Sequence, residues 1–145
     1  MNDASPIVDD EHAARPSGVS LTLGLLLAPG AWIVQTNLAQ TFAAWGCFPH
    51  GRPVVHPAMS WLEHGELILA VLALLMGIAG ALIAWRNWRR TRVVPLAEDE
   101  SSMTTRHLAR DRFIARAGAL ASALFLFGLI AADSAWLIVS PCGGR

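Results

Sequence analysis

The sequence predicts an all-α integral membrane protein with three transmembrane helices, N-terminus cytoplasmic and C-terminus periplasmic. Three observations carry that prediction. Hydrophobic residues make up 54% of the 145-residue chain and charged residues only 15%, more apolar surface than a soluble domain of this size could bury. Three apolar runs, at about 21–45, 62–85 and 113–139, are each long enough to cross ~30 Å of hydrocarbon, which takes about 20 helical residues. Eight of the eleven basic residues, all arginine, lie in one stretch from the end of the second run to the first turn of the third: Arg86, Arg89, Arg90, Arg92, Arg106, Arg110, Arg112 and Arg116.

Backbone amides cannot be left unpaired in lipid, so each run should be a helix; no period-two alternation points to a barrel. Residues 1–17 hold Asp3, Asp9, Asp10 and Glu11 against a single Arg15, with Pro6 and Pro16 breaking any helix. They read as a disordered cytoplasmic tail ahead of one membrane domain, 18–145. The first span contains Pro29-Gly30, where a bend is expected because proline removes a helical donor. Its acidic flank and its length argue against a cleaved signal peptide. After the second span, 93–105 reads as a loop with an acidic knot, Glu98-Asp99-Glu100; from about Ser101 the pattern turns helical and runs into span three.

Arginine beside a span tends to stay in the cytoplasm. The inner loop has eight arginines and the outer loop only Arg52, so both ends of the orientation follow. Trp45 and Trp61 then fall at the outer interface and Trp85 and Trp88 at the inner one, as an aromatic belt requires. The arginines are interleaved with Glu98, Asp99, Glu100 and Asp111, so the basic run is topological and no nucleic-acid partner is expected. The absence of lysine and tyrosine, with abundant Arg, Ala, Gly and Pro, fits a GC-rich bacterial genome and hence a bacterial inner membrane.

Small residues let helices approach closely where lipid supplies no hydrophobic drive. Span two has Ala73, Gly77 and Ala81, and also Ala70, Gly80 and Ala84; span three has Ala117 with Ala121, Gly118 with Ser122, and Gly128 with Ala132. Near the outer surface each span also carries polar groups. Span one has Gln35, Thr36, Asn37, Gln40 and Thr41; span two has Glu63, His64 and Glu66; span three has Asp133, seven residues or roughly 10 Å before Ser140. Gln40, Glu66 and Asp133 form the expected polar intramembrane layer. Intramembrane carboxyls face a partner or water. Glu66 and Asp133 therefore either hydrogen-bond Gln40, Asn37, Ser134 or Trp136 and lock the bundle, or serve a proton-handling or ligand site or a contact to another subunit.

Cys47 and Cys142 both belong at the periplasmic surface, where an even pair suits a disulfide. The competing reading is a copper or zinc site of Cys47, His50 and Cys142, with His56 in the same loop. No catalytic set and no cofactor is expected. Haem would need two facing axial histidines inside the bundle, and only His64 lies near such a position.

The segments Ala28-Pro29-Gly30-Ala31-Trp32, Ala44-Trp45-Gly46-Cys47, His50-Gly51 and Ser140-Pro141-Cys142 resemble small membrane proteins encoded beside aa3-type haem-copper cytochrome c oxidases in proteobacteria. The resemblance covers about a third of the chain. It implies association with a respiratory oxidase and brings no catalytic residues. The function expected is an accessory, non-catalytic subunit of a respiratory membrane complex. It would be surrounded by lipid, pack against a haem-copper oxidase core and stabilise its helices. The alternatives are a periplasm-facing copper-handling or oxidase assembly factor using Cys47, His50 and Cys142, and a small enzyme or transporter acting through Glu66 and Asp133.

Overall fold

A computed structural model of the chain describes residues 16–54, 56, 61–93, 103–139 and 142. The described residues form three long helices: α1, Gly18–Cys47, α2, Trp61–Val93, and α3, Met103–Ile138, with a 3-10 turn at Pro49–Gly51 after α1. All three are long and apolar enough to cross a membrane. The chain is therefore an all-helical protein of the multi-pass membrane class. Most of the N-terminal tail, the acidic knot at 98–100, and Ser140 and Pro141 lie outside the described residues.

Local chemistry sets the helix ends. Ser17 caps α1, its hydroxyl accepting from the Ser20 N–H at 3.2 Å, which satisfies one of the donors a helix start leaves over. At the other end Pro49 cannot extend the helical ladder. Gly51 adopts φ +73°, a conformation glycine takes without steric cost, and the Val54 N–H turns back to the Cys47 carbonyl at 2.9 Å. α1 runs through Pro29 as one helix. α2 and α3 are longer than the apolar runs within them. α2 continues to Val93 and α3 begins at Met103, so much of the arginine-rich stretch is helical and extends the helices past the apolar runs at 62–85 and 113–139.

The buried positions repeat in steps of three and four. On α1 they are Leu21, Gly24, Ala28, Ala31 and Gln35; on α2 they include Ala73, Gly77, Gly80, Ala84, Asn87 and Thr91; on α3 they include Ala115, Gly118, Ser122 and Leu129. Such a seven-residue seam is the pattern of helices packed at a shallow angle. Gly24 meets Ala84 and Gly80 meets Ala28, so α1 and α2 are antiparallel; Gly77 meets Leu129 while Glu66 meets Trp136 and Thr91 meets Arg112, so α2 and α3 are antiparallel; Gly118 meets Gly24 and Gly128 meets Trp32, so α1 and α3 are parallel. The small-residue positions 73, 77, 80, 84, 118 and 122 thus find their partners within this chain.

Midway along the bundle Ala31, Ala73 and Leu129 form the core, with Trp32 and Leu74 against it. Large apolar side chains such as Leu26, Ile33, Leu72, Leu82, Leu124 and Phe127 point outward. Small residues inside and large apolar ones outside invert the soluble pattern and suit a lipid surround.

Candidate functional site

The ends of α1 and α3 and the start of α2 meet at one end of the bundle. Here the Cys47 and Cys142 sulfurs are bonded at 2.06 Å, with Cα atoms 5.2 Å apart. Both thiols are used in that bond, and the side chain of His50 lies outside the described residues. His56 and His64 are exposed, and among the described residues no group of three or more His, Cys, Asp or Glu is arranged to hold a metal ion.

One layer below, two hydrogen bonds cross helix boundaries. The Gln35 amide donates to Asp133 Oδ1 at 2.6 Å, joining α1 to α3. The Trp136 indole N–H donates to Glu66 Oε2 at 2.5 Å, joining α3 to α2. Asp133 and Trp136 are three residues apart and so lie on one side of α3, one addressed to each neighbouring helix. Gln35 and Glu66 are both buried, each 8% exposed. Gln35 Oε1 is buried without a partner among the described residues.

The layer contains Glu66 and Asp133, with Gln35 rather than Gln40 beside Asp133. Gln40 is exposed. Five residues of helix turn the chain through about 500°, leaving the two glutamines roughly 140° apart around α1; only Gln35 continues the Gly24–Ala28–Ala31 seam. Thr36, Asn37, Thr41 and Ser134 bond carbonyls one turn back in their own helices, at 2.7–2.8 Å, so Asn37 and Ser134 are turned to their own backbone rather than to the carboxylates. The side chain of Glu63 lies outside the described residues.

Sequence reasoning did not anticipate a second polar layer at the arginine end. Ser20 Oγ donates to Asn87 Oδ1 at 2.9 Å and Asn87 Nδ2 donates to the Ser20 carbonyl at 2.8 Å, a reciprocal pair between α1 and α2. Arg112 Nε donates to the Thr91 carbonyl at 3.1 Å, joining α3 to α2. Between the two layers the fully buried Ser122 hydroxyl donates to the Gly24 carbonyl at 2.7 Å. The signal was present: Asn87 and Thr91 continue the Gly80–Ala84 stripe in steps of three and four.

These interactions fix three helices against one another. Each carboxylate of the layer beside the disulfide accepts from a neutral donor, and each crossing bond satisfies a group that would be costly to leave unpaired in lipid. Fold and layers together define a three-helix bundle of the multi-pass membrane class. No protein-family model, curated protein or solved structure matches the chain.

Proposed function

We propose that this chain is an accessory, non-catalytic subunit of a respiratory membrane complex, an aa3-type cytochrome c oxidase, whose core helices it packs against and stabilises. One observation carries the proposal. The carboxylates at membrane depth, Glu66 and Asp133, are spent on interhelical hydrogen bonds within the bundle, while broad outward faces of large apolar side chains are offered to neighbours. That division of labour suits a scaffold. The resemblance of the Ala28–Trp32, Ala44–Cys47 and Ser140–Cys142 segments to proteins encoded beside such oxidases names the complex.

The membrane is a bacterial inner membrane, with the N-terminus cytoplasmic and the C-terminus periplasmic. Two independent features support this orientation. The arginines flank the ends of α2 and the start of α3, and basic flanks are retained in the cytoplasm. The disulfide lies at the opposite end, and disulfides persist in oxidising compartments. The disulfide also favours the scaffold over the copper-handling alternative, which needs Cys47 and Cys142 as thiols.

The test is affinity purification of the tagged chain in mild detergent, with co-purifying proteins identified by mass spectrometry. Stoichiometric oxidase core subunits are expected. Recovery of the chain by itself would overturn the reading.

A further inference from the structure

At the arginine end a cavity of about 530 Å³ opens between α2 and α3, lined by Trp88, Arg92, Ala109, Arg112, Phe113 and Arg116. The α3 residues lie at spacings of three and four, hence on one face of the helix, and Trp88 and Arg92 are one turn apart on α2. Two helices thus line one space with three arginines and two aromatic residues. We propose that this cavity is a binding site for the phosphate group of an anionic membrane phospholipid. The proposal rests on the three helices spanning a bilayer and does not depend on which complex the chain joins.

Chemistry and position point to the same ligand. A guanidinium presents its N–H groups as a planar fork that matches two phosphate oxygens. Arg112 is half-buried and anchored by its Nε bond to the Thr91 carbonyl. Arg92 lies over the Trp88 ring, 4.8 Å from its centroid, and Trp88 is itself braced edge-to-face by Trp85 at 4.9 Å. Two of the three cations are therefore held in defined positions, which lowers the ordering cost of binding.

The remaining walls, Phe113, Ala109 and the Trp88 ring, are apolar, and Phe113 is 72% exposed. A soluble anion would gain nothing from them, whereas the glycerol and first acyl carbons of a lipid would. The cavity lies where the spans His64–Arg92 and Arg106–Ile138 end, the depth of the headgroups. Basic pockets between spans at this depth recur as anionic-lipid sites.

The experiment uses the full chain purified in a neutral detergent. It is titrated with phosphatidylglycerol, with phosphatidylcholine as the zwitterionic counterpart, and bound lipid is counted by native mass spectrometry. We expect one phosphatidylglycerol to be retained about tenfold more tightly than phosphatidylcholine. At roughly fivefold per arginine, the Arg92→Gln/Arg116→Gln protein should bind it about thirtyfold more weakly. Both side chains are exposed, so the fold should tolerate the change; if it does not, Arg116→Gln alone carries the comparison at about fivefold. The charge-matched control Arg89→Gln/Arg90→Gln alters exposed arginines outside the cavity and should lose less than about threefold. Equal loss in the two double variants would reduce the effect to general surface charge and overturn the site. Equal affinity for the two lipids would overturn it as well. Displacement of the lipid by millimolar inorganic phosphate would assign the cavity to a free anion and overturn the lipid reading.

Discussion

Replacing Gly24 or Gly80 with alanine should destabilise the bundle, although alanine is the better helix former. A Cβ at Gly24 would stand 3.0 Å from Ala84 Cα and 3.1 Å from its nitrogen; one at Gly80 would stand 3.0 Å from the Ala28 nitrogen and 3.1 Å from Leu27 Cβ. Optimal carbon separations are about 3.5–4.0 Å, and the atoms in the way are mainly backbone, so α1 and α2 must part by roughly 0.5 Å. A gap of that size forfeits about a quarter of the dispersion energy along the seam, and overpacking of this kind costs about 1–3 kcal/mol. The helix-propensity gain is at most about 1 kcal/mol. The clash meets or exceeds that gain, leaving a net loss of up to about 2 kcal/mol for each variant once the full propensity gain is subtracted. Gly118 is the internal control. Its added Cβ would meet Gly24 O and Leu25 Cα at 3.5 Å, an ordinary contact, so Gly118→Ala should be neutral or more stable by up to about 1 kcal/mol. Gly24→Ala combined with Gly80→Ala should cost less than the sum, because one separation of α1 from α2 relieves both clashes. The assay is unfolding of the detergent-solubilised protein by a denaturing detergent, followed by far-UV circular dichroism. Stability at or above wild type for Gly24→Ala or Gly80→Ala would refute the close approach of α1 and α2.

Other perturbations probe the polar layers and the disulfide. Glu66→Leu leaves the Trp136 indole N–H without its acceptor and should cost about 1–3 kcal/mol; a double-mutant cycle with Trp136→Phe should return a coupling of about 0.5–2 kcal/mol, and zero coupling would remove this bond from the account. Asn87→Ala, which loses both bonds to Ser20, should lower stability by about 1 kcal/mol or more, with little further loss in the Ser20→Ala/Asn87→Ala protein; fully additive losses would show that the pair is not coupled. Mass-tagging of free thiols in the non-reduced protein should find none, since Cys47 and Cys142 are joined; two labelled thiols that copper protects would favour the metal-handling alternative. Reduction, or Cys142→Ser, should cost up to about 4.7 kcal/mol on the chain-entropy account for cysteines 95 residues apart; an unchanged denaturation midpoint would mean that α1 and α3 are held together without the bond.

The outline of the bundle was legible in the sequence because it depends on local quantities. A span is a length of apolar chain, and a stripe of small residues is a periodicity. Helix ends were less legible: α2 and α3 outrun their apolar stretches, since arginine is a good helix former and nothing in hydropathy stops a helix at the membrane surface. The pairing of the two cysteines was also within reach, because the two crossings between them, an even number, put both at the same end. Among candidate site residues, Glu66 and Asp133 stood out as carboxyls in apolar surroundings. Gln35 and Gln40 could not be told apart, since both are polar residues in the C-terminal half of the first span.

By itself, the sequence determined an all-helical chain with three membrane-length segments, two cysteines brought to one end, and arginines gathered at the other. Only the tertiary structure decided which face of each helix looks inward. It selected Gln35 over Gln40 as the partner of Asp133, turned Asn87 onto Ser20, set Gly24 against Ala84, and gathered Arg92, Arg112 and Arg116 around one cavity. The physical reason is that burial along the chain is set by hydropathy, whereas burial around a helix is set by what its neighbours present. In lipid an apolar residue is content facing either way. The facing is then settled by close approach of small residues and by the few polar groups that must find one another.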